Sequence, residues 1–194
     1  MTIPIPHRAS GFVMGAANAD VTIDVFVDMQ CPHSKQAWPT LMSLVEHYKN
    51  HSVSLRTHLI TLSNHRQAWD MSLGLFAFAQ GDVERFYSFA SFMYQNQEQF
   101  YNAEFKHKTH NDLQQLVADL AQQHAQINRE AFIKRMADED IYILARTPIR
   151  YAATRAVWAT PTMFVNNGAK LPVNHRSPLE HWIALIDPLL SDEA

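Results

Sequence analysis

The chain has 194 residues, 47% of them hydrophobic and 18% charged, which supplies a folded core and excludes an intrinsically disordered protein. Its formal net charge of -3 comes without any basic cluster, which argues against a nucleic-acid partner. No apolar run approaches the roughly 20 residues a membrane span needs, and a single cysteine excludes an internal disulfide or a cysteine-rich zinc site.

Residues 1–20, punctuated by Pro and Gly, read as an N-terminal arm. Pro4, Pro6 and His7 interrupt the apolar stretch of a secretory signal, so the cytoplasm is favoured unless the chain is a mature form. Residues 21–28 have strong β character and few polar positions, as in a central strand covered on both faces. Cys31 then opens a helix, with Pro32 at the first helical position, where a missing N–H costs nothing. Trp38, Leu41, Leu44, Val45 and Tyr48 give that helix one apolar stripe. Residues 53–60 read as a second strand, completing a β-α-β unit with an expected right-handed crossover.

From about Arg66 to about His124 the periodicity predicts helix throughout, on faces such as Leu113, Leu116, Val117 and Leu120. A short helix follows over 127–138, and Thr147-Pro148 reads as the start or the kink of another that reaches about Val157. Residues 162–166 form a strand, Asn166-Asn167-Gly168 a turn, and residues 169–173 its hairpin partner, at a sheet edge because of Pro172. Ser177-Pro178-Leu179-Glu180 is a capping box for a closing helix carrying Trp182, Ile183, Ile186 and Leu190.

The chemistry concentrates in Cys31-Pro32-His33-Ser34. The first N–H groups of a helix lack intrahelical acceptors and its end carries about half a positive charge. A sulfur there is favoured as thiolate, the form that attacks. A cationic His33 would favour the anion further, and the Ser34 hydroxyl could donate to the sulfur; plain solvent exposure is the alternative for His33. Against this stands the fact that a lone cysteine is more often a small buried hydrophobe. The second element is Ala159-Thr160-Pro161-Thr162, a proline directly before a strand, where a cis bond is accessible.

Val21 to His33 resembles the redox strand and helix of DsbA-like thioredoxin-fold proteins, and Gly15 to Asp20 resembles the turn preceding that strand. Thr160 to Asn166 is similar to the family's cis-proline segment, and the helical block to its inserted helical domain. The resemblance implies an α/β thioredoxin fold (β-α-β … β-β-α) with an inserted all-helical domain. Residues 1–62 and 147–194 would form the thioredoxin-fold domain and 63–146 the insertion. It implies Cys31 as nucleophile, with Pro32, His33 and Ser34 completing the catalytic motif. Pro161 would be cis beside it, and Thr160 would offer its backbone to a bound thiol peptide or glutathione. Ser34 stands where the family usually has its resolving cysteine, which places the chain nearer a Cys-Pro-x-Ser branch. His65-Arg66-Gln67-Ala68-Trp69 fits that branch too and would bring His65 near the thiol; a loop residue is the alternative.

With Ser34, no internal disulfide can be stored and passed on, so any exchange runs through a mixed disulfide on Cys31 that an external thiol resolves. Isomerisation, deglutathionylation and glutathione conjugation remain compatible. Three functions follow: a monothiol exchange protein acting on a thiol or disulfide peptide or on glutathione, a kappa-like glutathione transferase or isomerase, and a redox-inactive binding module. No cofactor is expected beyond glutathione as co-substrate. No metal is expected either, because the eleven histidines show no ligand spacing such as HExxH. The phenylalanines of the helical block read as core, although a groove between that block and the sheet could accept an apolar substrate.

Overall fold

The computed structural model describes residues 9–168 and 170–190. Its sheet has four strands in the order β1-β3-β2-β4. Strand β2, Val21–Val27, lies at the centre, and every residue but Thr22 is buried. This is what its nearly unbroken apolar run requires, since a strand covered on both faces has no polar side. Helix α1, Pro32–His47, carries the chain over to β3, Val53–Leu59, which pairs parallel to β2. Strand β4, Thr162–Val165, pairs antiparallel to the other edge of β2, with Phe26 opposite Thr162.

The expected arm, residues 1–20, is in part a strand: β1, Phe12–Gly15, pairs antiparallel with β3. Residues 1–8 lie outside the described part. Four residues are too few for a period to show, and the strand is held by tertiary packing, with the Phe12 ring stacked on Phe86 at 3.9 Å between centroids. Gly15 ends it at φ +103, where a Cβ would sit 2.5 Å from the Val53 carbonyl oxygen.

The helical stretch is also broken more than its periodicity suggests. Helix α2, Ala68–Ala79, stops at Gln80 in the left-handed region and at Gly81. Asp82 caps α3, Val83–Gln95, by accepting the Arg85 N–H. A 3-10 turn over Gln97–Phe100 and an irregular segment follow. Thr109 and Asp112 then form a capping box that starts α4, His110–Ala125. Helix α5, Arg129–Met136, is capped by Asn128. These stops are local cap chemistry, which a 3.6-residue apolar period does not register.

Helix α6, Glu139–Thr154, runs through Pro148, so this proline sits inside a helix and not at its start. Pro148 offers no N–H to the Leu144 carbonyl, and beside it the Thr147 hydroxyl donates to the Ile143 carbonyl at 2.9 Å. The boundary expected between residues 146 and 147 falls within this helix. The hairpin partner expected over 169–173 is reduced to a single bridge, Phe164 to Lys170, among the described residues, with Ala169 outside them. Pro172 removes a ladder donor, which limits pairing there. Ser177, expected as the cap of α7, Leu179–Leu190, accepts the Asn174 N–H and thereby ties down the preceding loop.

One core joins the helices to one face of the sheet, with Trp182, Phe86, Phe89 and Phe100 among its fully buried members. The opposite face holds a smaller cluster of Phe26, Ile60, Ala152 and Val157. Beside it lies a buried polar pair. His58 Nε2 meets Asp24 Oδ1 at 2.8 Å, and His58 Nδ1 meets the Ser10 hydroxyl at 2.8 Å. Burial pushes the His58 pKa below its ordinary value; Asp24 opposes this, and Arg56 and Arg155 add to it. His58 is therefore neutral in the fold, so Nε2–H donates to Asp24 and Nδ1 accepts from Ser10. The unfolded chain protonates this histidine below about pH 6.5 while the folded chain resists it, so acid favours unfolding. Thermal unfolding followed from pH 7.5 to pH 5 is expected to show a falling midpoint, and His58→Gln is expected to flatten the fall.

Candidate active site

Asp28, directly after β2, organises the turn into α1. Its carbonyl accepts the Cys31 N–H at 3.0 Å, and its buried carboxylate accepts the Gln30 N–H at 2.7 Å and the Leu62 N–H at 2.8 Å. Cys31 takes the N-cap position of α1 with extended backbone, φ -75 and ψ 120, and Pro32 follows as the exposed first helical residue. The Cys31 carbonyl accepts from Lys35 N–H, as a helix start requires, and from Gln97 Nε2 at 3.0 Å. Gln97 is fully buried in the 3-10 turn and donates to the Met29 carbonyl as well, at 2.8 Å.

The Cys31 sulfur is buried and donates to the Thr160 carbonyl at 3.3 Å. It makes no cap hydrogen bond to the helix N–H groups, contrary to the arrangement expected at an N-cap. The thiol proton points instead to a carbonyl acceptor in the loop before β4. The Thr160–Pro161 peptide bond is cis. The Thr160 carbonyl expected to greet a bound peptide is thus taken by the thiol while the thiol keeps its proton. A thiolate has no proton to give and would release it.

Ser34 does not turn its hydroxyl to the sulfur. It is fully buried, accepts the Asp28 N–H at 3.3 Å and bonds the Tyr94 phenol, which donates to the Asp28 carbonyl at 3.2 Å. Complete burial, with Asp28 and Cys31 nearby, raises the Tyr94 pKa well above its ordinary value, so the phenol stays a neutral donor. His33 is exposed, and its ring stacks on His175 at 4.0 Å with 13° between planes. Burial, then His33 and Arg176, push the His175 pKa down. His65 reaches the site through Asp28: its Nδ1 lies 2.9 Å from Asp28 Oδ2.

A layer of amides joins this turn to the helices. Gln30 Nε2 donates to Gln67 Oε1 at 2.8 Å and to Asn102 Oδ1 at 2.9 Å, and the Gln67 N–H donates to Gln30 Oε1. A groove of about 340 Å³ between α1 and α3 is lined by Trp38, Pro39, Met42 and Tyr94. Trp158, two residues before Thr160, is 80% exposed. Gln97 and Asn102 carry no motif, and only the fold brings them to the turn around Cys31. Among the described residues, no group of three or more His, Cys, Asp or Glu is placed to hold a metal.

A β-α-β unit, a returning strand after a cis proline, and a helical insertion between them define a thioredoxin fold of the DsbA-like class. The chain belongs to the thioredoxin family, whose Thioredoxin_4 model matches residues 8–187. Among curated proteins none matches. Among the solved structures that share the fold are the following three. A Pseudomonas syringae protein provisionally described as a protein-disulfide isomerase has a TM-score of 0.76 at 17% identity, over 91% of this chain and 97% of that one. BdbD from Bacillus subtilis has 0.73 at 18%, over 94% and 97%. A periplasmic thioredoxin-like protein from Salmonella enterica has 0.68 at 18%, over 94% and 91%. No helix among the described residues is long and apolar enough to cross a membrane.

Removing the Gln97 side chain strands the Met29 carbonyl and weakens the clamp on Cys31. Gln97→Ala is expected to lower stability by about 1–3 kcal/mol in urea unfolding, the usual cost of a buried group left unpaired.

Proposed function

We propose that this protein performs thiol–disulfide exchange as a monothiol, through a mixed disulfide on Cys31 with a peptide or glutathione. The observation that carries the reading is the Cys31 sulfur at the start of α1, 3.3 Å from the carbonyl that precedes the cis proline. The site residues are Cys31 as nucleophile, Pro32 and His33 beside it, Ser34 beneath it, and Thr160 with Pro161 facing it. His65 acts as a positioning residue through Asp28.

In the forward step the Cys31 thiolate attacks one sulfur of a disulfide. The new Cys31–S–S–R bond forms as the old S–S bond breaks, and the second sulfur leaves as a thiolate that takes up a proton. Cys31 is oxidised and the leaving sulfur reduced. The Ser34 hydroxyl is no reductant and is committed to Asp28 and Tyr94, so an external thiol must attack the adduct and restore Cys31. The domain division that suits this reading puts the sulfur on the thioredoxin-fold part, with residues 63–146 as a helical cover. The Salmonella relative described as periplasmic favours an exported form over the cytoplasm for such a protein.

Intact-mass measurement after incubation with oxidised glutathione is expected to show one glutathione adduct, mapped to Cys31, reversed by dithiothreitol and lost in Cys31→Ser. No adduct under conditions that modify a free-thiol peptide would overturn the reading. Turnover of an electrophile with bound glutathione and no adduct would favour a transferase of the kappa-like type instead. In Ser34→Cys the adduct is expected to resolve into an internal disulfide and no longer accumulate, read by thiol counting.

A further inference from the structure

On the sheet face that carries Phe26, three side chains from separate segments form a hydrogen-bonded row. The Ser10 hydroxyl lies 2.8 Å from His58 Nδ1, and His58 Nε2 lies 2.8 Å from Asp24 Oδ1. The imidazole is neutral, with its N–H given to Asp24 and its lone pair turned to the hydroxyl. That is the state of a general base placed between a nucleophile and an orienting carboxylate. Packing fixes its orientation: the Phe26 ring stacks on His58 at 4.6 Å, and the Tyr151 ring lies 5.0 Å away. Asp24 is buried, and its Oδ2 has no hydrogen-bond partner among the described residues. Its charge is thus available to an imidazolium formed by proton transfer.

Ser10 is less buried than its two partners, and it lines a cavity of about 210 Å³ between β1, the turn before α3 and α6. Phe12, Phe76, Leu144 and Pro148 make this cavity largely apolar, and another lining residue, Ala9, is exposed. Gly11 lets the serine approach the histidine. Its φ is +89, and a Cβ there would sit 2.9 Å from His58 Cε1. A purely structural row accounts for the hydrogen bonds and leaves the cavity unexplained.

We propose that Ser10, His58 and Asp24 form a second site that hydrolyses small apolar acyl esters, with the acyl chain in this cavity. Ser10 Oγ bonds the ester carbonyl carbon as its proton passes to His58 Nδ1. The bond from that carbon to the alcohol oxygen breaks, and the alcohol leaves with the proton. Water then gives a proton to Nδ1 while its oxygen bonds the acyl carbon. The acid is released as Ser10 Oγ takes the proton back. Neither Cys31 nor a redox partner takes part, so this proposal and the exchange reading stand or fall separately.

The full-length protein is treated with a fluorophosphonate probe, which phosphonylates activated serines, and the adduct is mapped by mass spectrometry. Hydrolysis of para-nitrophenyl butyrate and acetate is followed in parallel. An adduct on Ser10 is expected. Ser10→Ala is expected to lose it and to lower butyrate hydrolysis by about a hundredfold, the scale of a positioned base acting on its nucleophile. His58→Gln is expected to lose both, with the fold checked by circular dichroism; Ser10→Ala decides alone if that variant does not fold. Leu144→Trp, which narrows the cavity, is expected to lower the butyrate-to-acetate rate ratio by about tenfold, the scale of a lost apolar subsite. An unlabelled Ser10, or hydrolysis that persists in Ser10→Ala, overturns the proposal. A ratio unchanged in Leu144→Trp overturns the cavity as the acyl subsite.

Discussion

Asp28 is the residue on which the arrangement of the site depends. A carboxylate with no exposure is tolerable only when its oxygens are satisfied, and here two backbone N–H groups and the His65 ring do so. Those three bonds tie together the end of β2, the turn before Cys31 and the loop after β3. The backbone of the same residue holds the Cys31 N–H, the Ser34 hydroxyl and the Tyr94 phenol. One residue thereby fixes where the sulfur sits and which way the helix start points.

The helices between β3 and β4 are more than a cover for this arrangement. Gln97, Gln67 and Asn102 reach back to the cysteine turn through amide hydrogen bonds, and Tyr94 closes the network under Ser34. Amides suit this role because each offers both donors and acceptors and carries no charge to desolvate. The consequence is a rigid support under a sulfur whose opposite side faces the loop carrying the cis proline.

Ser34 shows how the missing second sulfur changes the protein. In a dithiol site the fourth residue of the motif must reach the first to close a ring. Here the hydroxyl is turned inward and shared between Asp28 and Tyr94. In the proposed exchange, release of an adduct would fall to a second molecule.

The sequence by itself determined β2, α1 and β3, the strand after Pro161 and the closing helix, because each carries a local period or cap that no other structure would satisfy. It also singled out Cys31, Pro32 and Pro161, whose chemistry is written in residue type and neighbours. It did not show β1, whose four residues gain their strand geometry only by pairing with β3 and stacking Phe12 on Phe86. It did not show that Ser34 turns away from the sulfur, or that the thiol faces Thr160, because both are choices between hydrogen-bond partners that meet only on folding. Asp28, Gln97 and His175 were illegible for the same reason. A polar side chain is identified as part of a site by what surrounds it, and the groups around these three come from segments far apart in the chain.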